Sequence, residues 1–366
     1  MSVNAFQDLD LDSSALLEAL RKSLDLPELD FAAAPRRLGA GGEAVIDAFR
    51  LSGARPDLSG PLVVRRLIRR GTANPRLEAA LHSALVEQGF PVPRIVLAEP
   101  DPAVLGCAFT VMERLPGQAL LTEVGQPGEL LRSPTRLPGL VYTAALRVPR
   151  LLGELQSRLH ALDVDLVRKA VRSAGVTEAE LSFSGRLDQL EARLRAARLA
   201  GLEPGLEWLR RHQPAENERV VCHGDFVFTN VFLEDGRVTG VFDWSQASIA
   251  HPAYDVAGTL ARLTSSVPDV PVPLRALFQA VQRRLARGYL RSYSRSRSVD
   301  PRALDFFGAY WAVAELTWSG ERLRAGAQPT GRIEERWLQP QAIELGARRF
   351  RELSGIEIEP LRPGTL

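Results

Sequence analysis

The sequence predicts an α+β chain of two lobes, a small antiparallel-sheet N-lobe with one main helix and a larger, mostly helical C-lobe. Three observations carry this prediction. Short β-patterned runs separated by Gly/Pro turns dominate up to about residue 116. Long apolar stripes at helical spacing dominate after it. One isolated strand–turn–strand segment, 219–244, interrupts the helical part.

Residues 12–24 form a short amphipathic helix, with Leu16, Leu17, Leu20 and Leu24 on one face. Arg36-Arg37-Leu38 leads into the turn Gly39-Ala40-Gly41-Gly42, and Ala44–Leu51 alternates as a strand. Ser52–Pro61 holds two glycines and two prolines and reads as a turn. Leu62–Ile68 is a further strand, Pro75–Gln88 is helical and Gly89 ends it. Ile95–Ala98 and Phe109–Met112 complete the strands before Pro116-Gly117 breaks the chain. The N-terminal lobe is thus 1–116, with its leading helix near 12–24, and the C-terminal lobe is 117–366. Within the latter, Leu151, Leu152, Leu155, Leu159 and Leu162 make one stripe. Leu274, Leu277, Phe278, Val281, Leu285 and Tyr289 make a second. The stretch 123–140 and the serine–arginine run 292–298 read as loops.

Composition narrows the function. Over 366 residues, 45% hydrophobic and 25% charged is an ordinary globular balance. A net charge of +2, from 46 basic and 44 acidic residues, argues against nucleic-acid and membrane-surface partners. Two distant cysteines, Cys107 and Cys222, form no metal motif and no disulfide framework. No apolar run approaches the roughly 18 residues of a membrane span, and no basic-then-apolar leader is visible. The expected compartment is the cytoplasm, and the sequence leaves oligomeric state open.

The chemistry sits in residues 220–244, VVCHGDFVFTNVFLEDGRVTGVFDW. Asp225 and Asn230 are five residues apart across a loop, and Asp243 ends the arm that returns from the Asp235-Gly236 hairpin turn. A hairpin lays its arms side by side, so Asn230 and Asp243 are expected to converge. Two oxygen ligands that leave room for water and phosphate suit Mg²⁺. A separate carboxylate can orient a hydroxyl and accept its proton, the division of labour that phosphoryl transfer requires. Asp225 is therefore the expected base, with Asn230 and Asp243 as metal ligands. A hydrolase built on His223, Asp225 and Asp243 would need a second histidine at ligand spacing, and none is present there.

The ordered set His223-Gly224-Asp225, Asn230 and Asp243-Trp244 resembles the aminoglycoside phosphotransferase and choline kinase-like family, relatives of protein kinases. The resemblance covers most of the chain and implies a two-lobed protein kinase-like fold. It implies ATP, with GTP possible, and Mg²⁺ as cofactors, and a small-molecule hydroxyl as acceptor. Gly39, Gly41 and Gly42 match the turn that covers nucleotide phosphates. Arg65, in Leu62-Val63-Val64-Arg65, stands where relatives usually carry a phosphate-contacting lysine, and Glu78 where the helix supplies its partner. Met112, Glu113 and Leu115 match the hinge that reads the adenine edge. His223 and Asp255 match residues that brace the catalytic loop. Strand alternation allows only one of Arg65 and Arg66 to face the nucleotide. Arginine keeps the charge but is bulkier and forked. It motivates the alternative of a catalytically weak or inactive nucleotide-binding, pseudokinase-like module. The acceptor's identity is not legible. Residues 300–366 carry ten acidic residues against nine arginines, so no acidic bowl for a polycation stands out. Phe306, Phe307, Tyr310, Trp311 and Trp318 fit a core at helical spacing better than an acceptor site.

Overall fold

A computed structural model gives the fold and describes residues 10–40, 44–68, 74–120, 122, 146–215, 218–265, 272–328 and 337–363. In chain order its helices are α1 (Ser13–Leu24), α2 (Pro75–Glu87), α3 (Val148–Leu159), α4 (Val164–Ser173), α5 (Phe183–Ala196), α6 (Glu203–Arg211), α7 (Pro252–Leu263), α8 (Val272–Tyr293), α9 (Pro301–Arg324) and α10 (Pro340–Ser354). Its strands are β1 (Asp30–Ala40), β2 (Ala44–Ser52), β3 (Leu62–Leu67), β4 (Ile95–Glu99), β5 (Phe109–Glu113), β6 (Gln118–Ala119), β7 (Val220–Cys222), β8 (Val231–Glu234), β9 (Arg237–Val241) and β10 (Ser248–Ala250). The chain divides into two compact units. One is Met1–Gln118 with Asp165–Glu178 and Phe232–Ser245; the other is Ala119–Val164 with Ala179–Val231 and Gln246–Leu366. After residue 118 the chain therefore returns twice to the first unit.

In the first unit, β1 to β5 form an antiparallel sheet in the order β1-β2-β3-β5-β4. Helix α1 starts at Asp12, whose carboxylate accepts the Ala15 N–H at 2.9 Å. Its leucines Leu16, Leu17 and Leu20 pack with Phe49, Leu62, Val64, Phe109 and Val111. Alternation along β3 puts Arg66 on the same side as Leu62 and Val64, and Arg65 on the other. Arg66 reaches the Asp10 carbonyl at 3.3 Å and Asp47 at 3.0 Å. Asp47 also accepts from Arg37 at 2.7 Å, so this buried carboxylate is paired twice. Helix α2 begins at Asn74, which caps the Arg76 N–H at 3.1 Å, with Pro75 in the first turn where no N–H is needed. Gly89, at φ 71°, ends it.

Strands β6, β8 and β9 make a smaller sheet. Asp235 and Gly236 both have positive φ, 50° and 76°, as a two-residue hairpin turn requires. The hairpin is fastened to the first unit's own chain. Val241 N–H donates to the Pro91 carbonyl at 2.9 Å, and Thr239 Oγ1 to the Pro116 carbonyl at 2.8 Å. Gly117 has to be glycine: its φ is 81° and a Cβ there would lie 1.9 Å from the Leu233 carbonyl oxygen.

The second unit is helical around one aromatic core. Helix α9 buries residues on all its sides, including Phe306, Phe307, Tyr310 and Trp311, as a central helix does. Phe183, Tyr254 and Phe307 join that core edge to face. These aromatics are core, as their helical spacing predicts, while Trp318 is half-buried under Arg322. Strands β7 and β10 pair antiparallel. No helix among the described residues is long and apolar enough to cross a membrane.

Several sequence expectations shift at their edges. Ser52–Pro61 contains one 3₁₀ turn, Pro56–Leu58. The serine–arginine run begins inside a helix, because Ser292 and Tyr293 are the buried last residues of α8 and turn and coil start only at Ser294. The expected loop 123–140, together with Gly41, Gly42, Arg69 and Arg70 and the side chains of Leu274 and Leu277, lies outside the described residues. Gly39 is still within β1, opposite Ile46.

Candidate active site

The second unit holds the His223–Asn230 loop, which leaves β7 and is read by one face of α7. Residues 255, 259 and 262 recur at helical spacing and each engages this loop. Asp255 accepts the His223 N–H at 2.9 Å on one oxygen and the Gly224 N–H at 2.7 Å on the other. Thr259 Oγ1 donates to the Phe226 carbonyl at 2.9 Å. Arg262 Nε sits 2.5 Å from Asp225 Oδ1. Gly224 has φ 82°, and a Cβ would meet the Gln246 carbonyl at 2.2 Å, so only glycine fits this turn. His223 is buried and its Nδ1 accepts the Asp225 N–H at 3.1 Å.

Asp225 is thereby held from two sides. Its Oδ1 meets Arg262, and its Oδ2 accepts the Asn230 side-chain amide at 2.9 Å. The same amide also donates to the Asp225 carbonyl at 2.9 Å. This fixes Asn230 with Oδ1 as its remaining acceptor, toward which Thr229 Oγ1 points at 3.4 Å. Arg262 itself lies 4.4 Å over the Trp311 ring and donates to the Gly258 carbonyl at 3.1 Å. Burial works against its charge, but the carboxylates of Asp225 and Glu315 outweigh that and raise its pKa above the ordinary arginine value.

Behind the loop the polar network closes. His160 bridges Asp255 Oδ2 at 3.1 Å and the Tyr293 hydroxyl at 2.7 Å. Gln156 donates to Thr259 Oγ1 at 3.3 Å and accepts from the Tyr289 hydroxyl. Burial pushes the Asp255 pKa up, but the His160 hydrogen bond, the His160 and His223 rings and the His223 N–H together pull it below the usual aspartate value. His160, Cys222 and Asp255 are also the one group among the described residues with metal-ligand atoms close together. The His160 and Asp255 atoms in it are already hydrogen-bonded, and a thiol–imidazole set is a poor one for Mg²⁺.

The first unit holds the other expected residues. Arg65 Nη1 lies 2.9 and 3.1 Å from the two oxygens of Glu78, and its Nη2 lies 3.5 Å from Asp243 Oδ1. Arg65, not Arg66, thus makes the pair with the α2 glutamate. Asp243 has φ 64°, an unfavourable conformation for a residue with a Cβ, and its side chain is 37% exposed. Its neighbour Trp244 anchors the turn, donating to the Val241 carbonyl at 3.0 Å and packing edge-on against His82 and Phe90. In the hinge, Met112 is buried, and the N–H groups of Glu113 and Arg114 already donate to the Arg94 and Pro61 carbonyls. The Glu113 side chain pairs with Arg94 at 3.0 Å, and Leu115 packs over Gly240.

The structure therefore gathers Asp225 with Asn230, and His223 and Gly224 with Asp255, in one unit, and Arg65 with Glu78 and Asp243 in the other. Sequence reasoning missed Arg262, Thr259 and His160. The signal for the first two was their position seven and four residues after Asp255 on one helix face. For His160 no local signal existed.

The phosphotransferase enzyme family matches residues 48–307. The chain is 30% identical over 177 residues to an aminoglycoside 3'-phosphotransferase of Streptomyces fradiae, covering 47% of this chain and 59% of that protein. It is 28% identical over 183 residues to human acyl-CoA dehydrogenase family member 11, covering 49% of this chain but only 22% of that much longer protein. Among solved structures, a putative aminoglycoside phosphotransferase from Ralstonia eutropha superposes with a TM-score of 0.56 at 18% identity, over 94% of this chain and 96% of that one. Aminoglycoside phosphotransferase APH(4)-Ia, in ternary complex with ADP and hygromycin B, gives 0.54 at 15% identity over 93% and 98%. At such identities the structures speak for the fold, which is kinase-like. With its matched span covering most of its length, the chain belongs to the phosphotransferase enzyme family.

Proposed function

We propose that this chain transfers the γ-phosphoryl group of ATP to a hydroxyl of a small molecule, with Asp225 as the general base. The observation that carries the reading is the Asp225 carboxylate itself, aimed by Arg262 and Asn230 on a loop that Asp255 holds by its backbone. A carboxylate aimed by a fixed guanidinium can orient an acceptor hydroxyl and take its proton as the new P–O bond forms. Names among the relatives support the reaction class: besides the Streptomyces fradiae protein, a homoserine kinase of Rhodopseudomonas palustris is 28% identical over 221 residues, 64% of its length.

Asn230 Oδ1 and the Asp243 carboxylate are the proposed holders of Mg²⁺. Both offer hard oxygen donors, and Asp243 is held at a positive φ, a conformation that clusters at ligand-binding positions. Bound there, Mg²⁺ would neutralise phosphate charge. Arg65, fixed by Glu78, takes the phosphate-contacting role of the usual lysine. Gly39, Gly41 and Gly42, and the hinge at Met112, Glu113 and Leu115, serve the nucleotide, ATP or GTP.

A nucleotide-binding module without transfer is the second reading, favoured by Arg65 and by an Asp225 whose two oxygens are both engaged. The two are separated by assaying Mg-ATP consumption against a panel of hydroxylated compounds. The panel spans aminoglycosides, homoserine and, given the acyl-CoA dehydrogenase relatives, hydroxyacyl thioesters of coenzyme A. Acceptor-dependent ADP release that disappears in Asp243→Ala supports transfer. Nucleotide-induced thermal stabilisation with no product on any acceptor supports the binding module instead.

A further inference from the structure

Away from the His223–Asn230 loop, the second unit carries a groove of about 880 Å³ between α3 and α8. Five of its lining arginines come from α8 and its end, namely Arg283, Arg284, Arg287, Arg291 and Arg295, and Arg147 and Arg150 come from the start of α3. Arg284, Arg287 and Arg291 recur every three to four residues along α8, so they form one row, roughly 10 Å long at 1.5 Å per residue, with Arg283 beside its start and Arg295 in the turn after the helix. The groove's one carboxylate is Glu154, which is held by Arg150 at 2.7 Å. Among the described residues these five guanidinium groups form no ion pair.

The groove is also built. Gly153 of α3 lets the two helices touch: a Cβ there would lie 2.7 Å from the Ser292 Cβ and the Tyr293 N. Ser292 Oγ donates to the Arg150 carbonyl at 3.0 Å, and Tyr289 and Tyr293 are buried behind the row. The row is thus mounted on a fixed surface. Seven guanidinium groups against one carboxylate concentrate far more positive charge in this groove than the +2 of the whole chain, so the rest of the molecule is net negative.

We propose that this groove is a binding site for a small soluble anion with several phosphoryl groups, such as an inorganic polyphosphate or an organic polyphosphate ester. Guanidinium forks match phosphate oxygens in pairs. The volume lies in the range of small-molecule sites. Leu146, Pro149, Leu151 and Ala280 give the groove an apolar side against which an organic moiety can rest. A long nucleic acid or a membrane surface fits less well, because either would extend over the net negative remainder of the molecule.

The test is calorimetric titration of the full chain with inorganic tripolyphosphate in magnesium-free buffer. Four proteins are compared: wild type, the triple variant Arg284→Gln/Arg287→Gln/Arg291→Gln, its triple lysine counterpart, and Asp243→Ala. The site predicts one-to-one binding that weakens at least about 100-fold in the triple variant and is retained in Asp243→Ala. The corresponding triple lysine variant, which keeps the charge but loses the fork, falls between. The substituted arginines are exposed, so the thermal midpoint stays within about 2–3 °C of wild type, as expected for surface changes. Equal binding by wild type and triple variant, or no binding by wild type, overturns the proposal. So does tighter, arginine-dependent binding to phosphatidylserine vesicles or to a 20-nucleotide single-stranded DNA than to tripolyphosphate.

Discussion

In the second unit the Asp255 carboxylate is fully buried, and its partners are two backbone N–H groups and a histidine that is itself held by a tyrosine. In the first unit Asp243 is 37% exposed, sits on a positive φ, and has an arginine only at the edge of hydrogen-bonding distance. Both are aspartates singled out by the same family resemblance, yet one is closed off and the other is open. A buried charge persists only where its donors are fixed, so Asp255 works as a brace. An exposed carboxylate held in an unfavourable conformation retains coordination capacity, which is what a ligand-binding residue needs.

That contrast breaks most visibly at the brace. Asp255→Ala leaves His223 N–H, Gly224 N–H and His160 without their acceptor and is expected to cost about 3–5 kcal/mol. It should lower the thermal midpoint by roughly 10 °C, read by calorimetry, with turnover lost along with the loop geometry. The same residue sets an acid limit. Its folded pKa is depressed, so its contribution is fully present above the unfolded aspartate value of about 3.9 and is lost as pH falls through the lower, folded value. The stability gap between wild type and Asp255→Asn should therefore be constant from neutral pH to about 5 and shrink only below about pH 4.

The open centre responds in binding before stability. Arg65→Ala removes the partner of a buried glutamate and the proposed phosphate contact, and should raise the nucleotide KM at least about tenfold. Arg65→Lys restores the usual residue and should stay within about threefold of wild type; a loss as large as that of alanine would show that the fork itself is needed. The smallest effect is expected at Glu113, whose side chain points to Arg94 and not to a base. Glu113→Gln should leave nucleotide KM unchanged within about twofold, and a larger shift would return its carboxylate to the nucleotide site.

Much of this was legible in the residue order. The alternation of Ala44–Leu51 marked a strand, and the Asp235-Gly236 pair a hairpin, because each is dictated by local backbone geometry. Alternation also put Arg65 and Arg66 on opposite faces, but only the packed sheet shows that Glu78 lies on one side and Asp47 on the other. Arg262 escaped notice because its meaning depends on α7 lying against a loop 37 residues earlier in the chain, a tertiary fact that no local pattern encodes. His160 escaped for the same reason, since its partners Asp255 and Tyr293 lie 95 and 133 residues further along the chain. The arginine groove was hidden by averaging, since a balanced total says nothing about where charges collect on two neighbouring helices.

The proposed phosphoryl transfer rests above all on Asp225 as the base. Single-turnover transfer from γ-labelled ATP, on an acceptor found in the hydroxyl panel, compares wild type with Asp225→Asn. The expected result is a rate about 10²–10⁴-fold lower in the variant, with nucleotide affinity unchanged. Transfer by Asp225→Asn at the wild-type rate would contradict it.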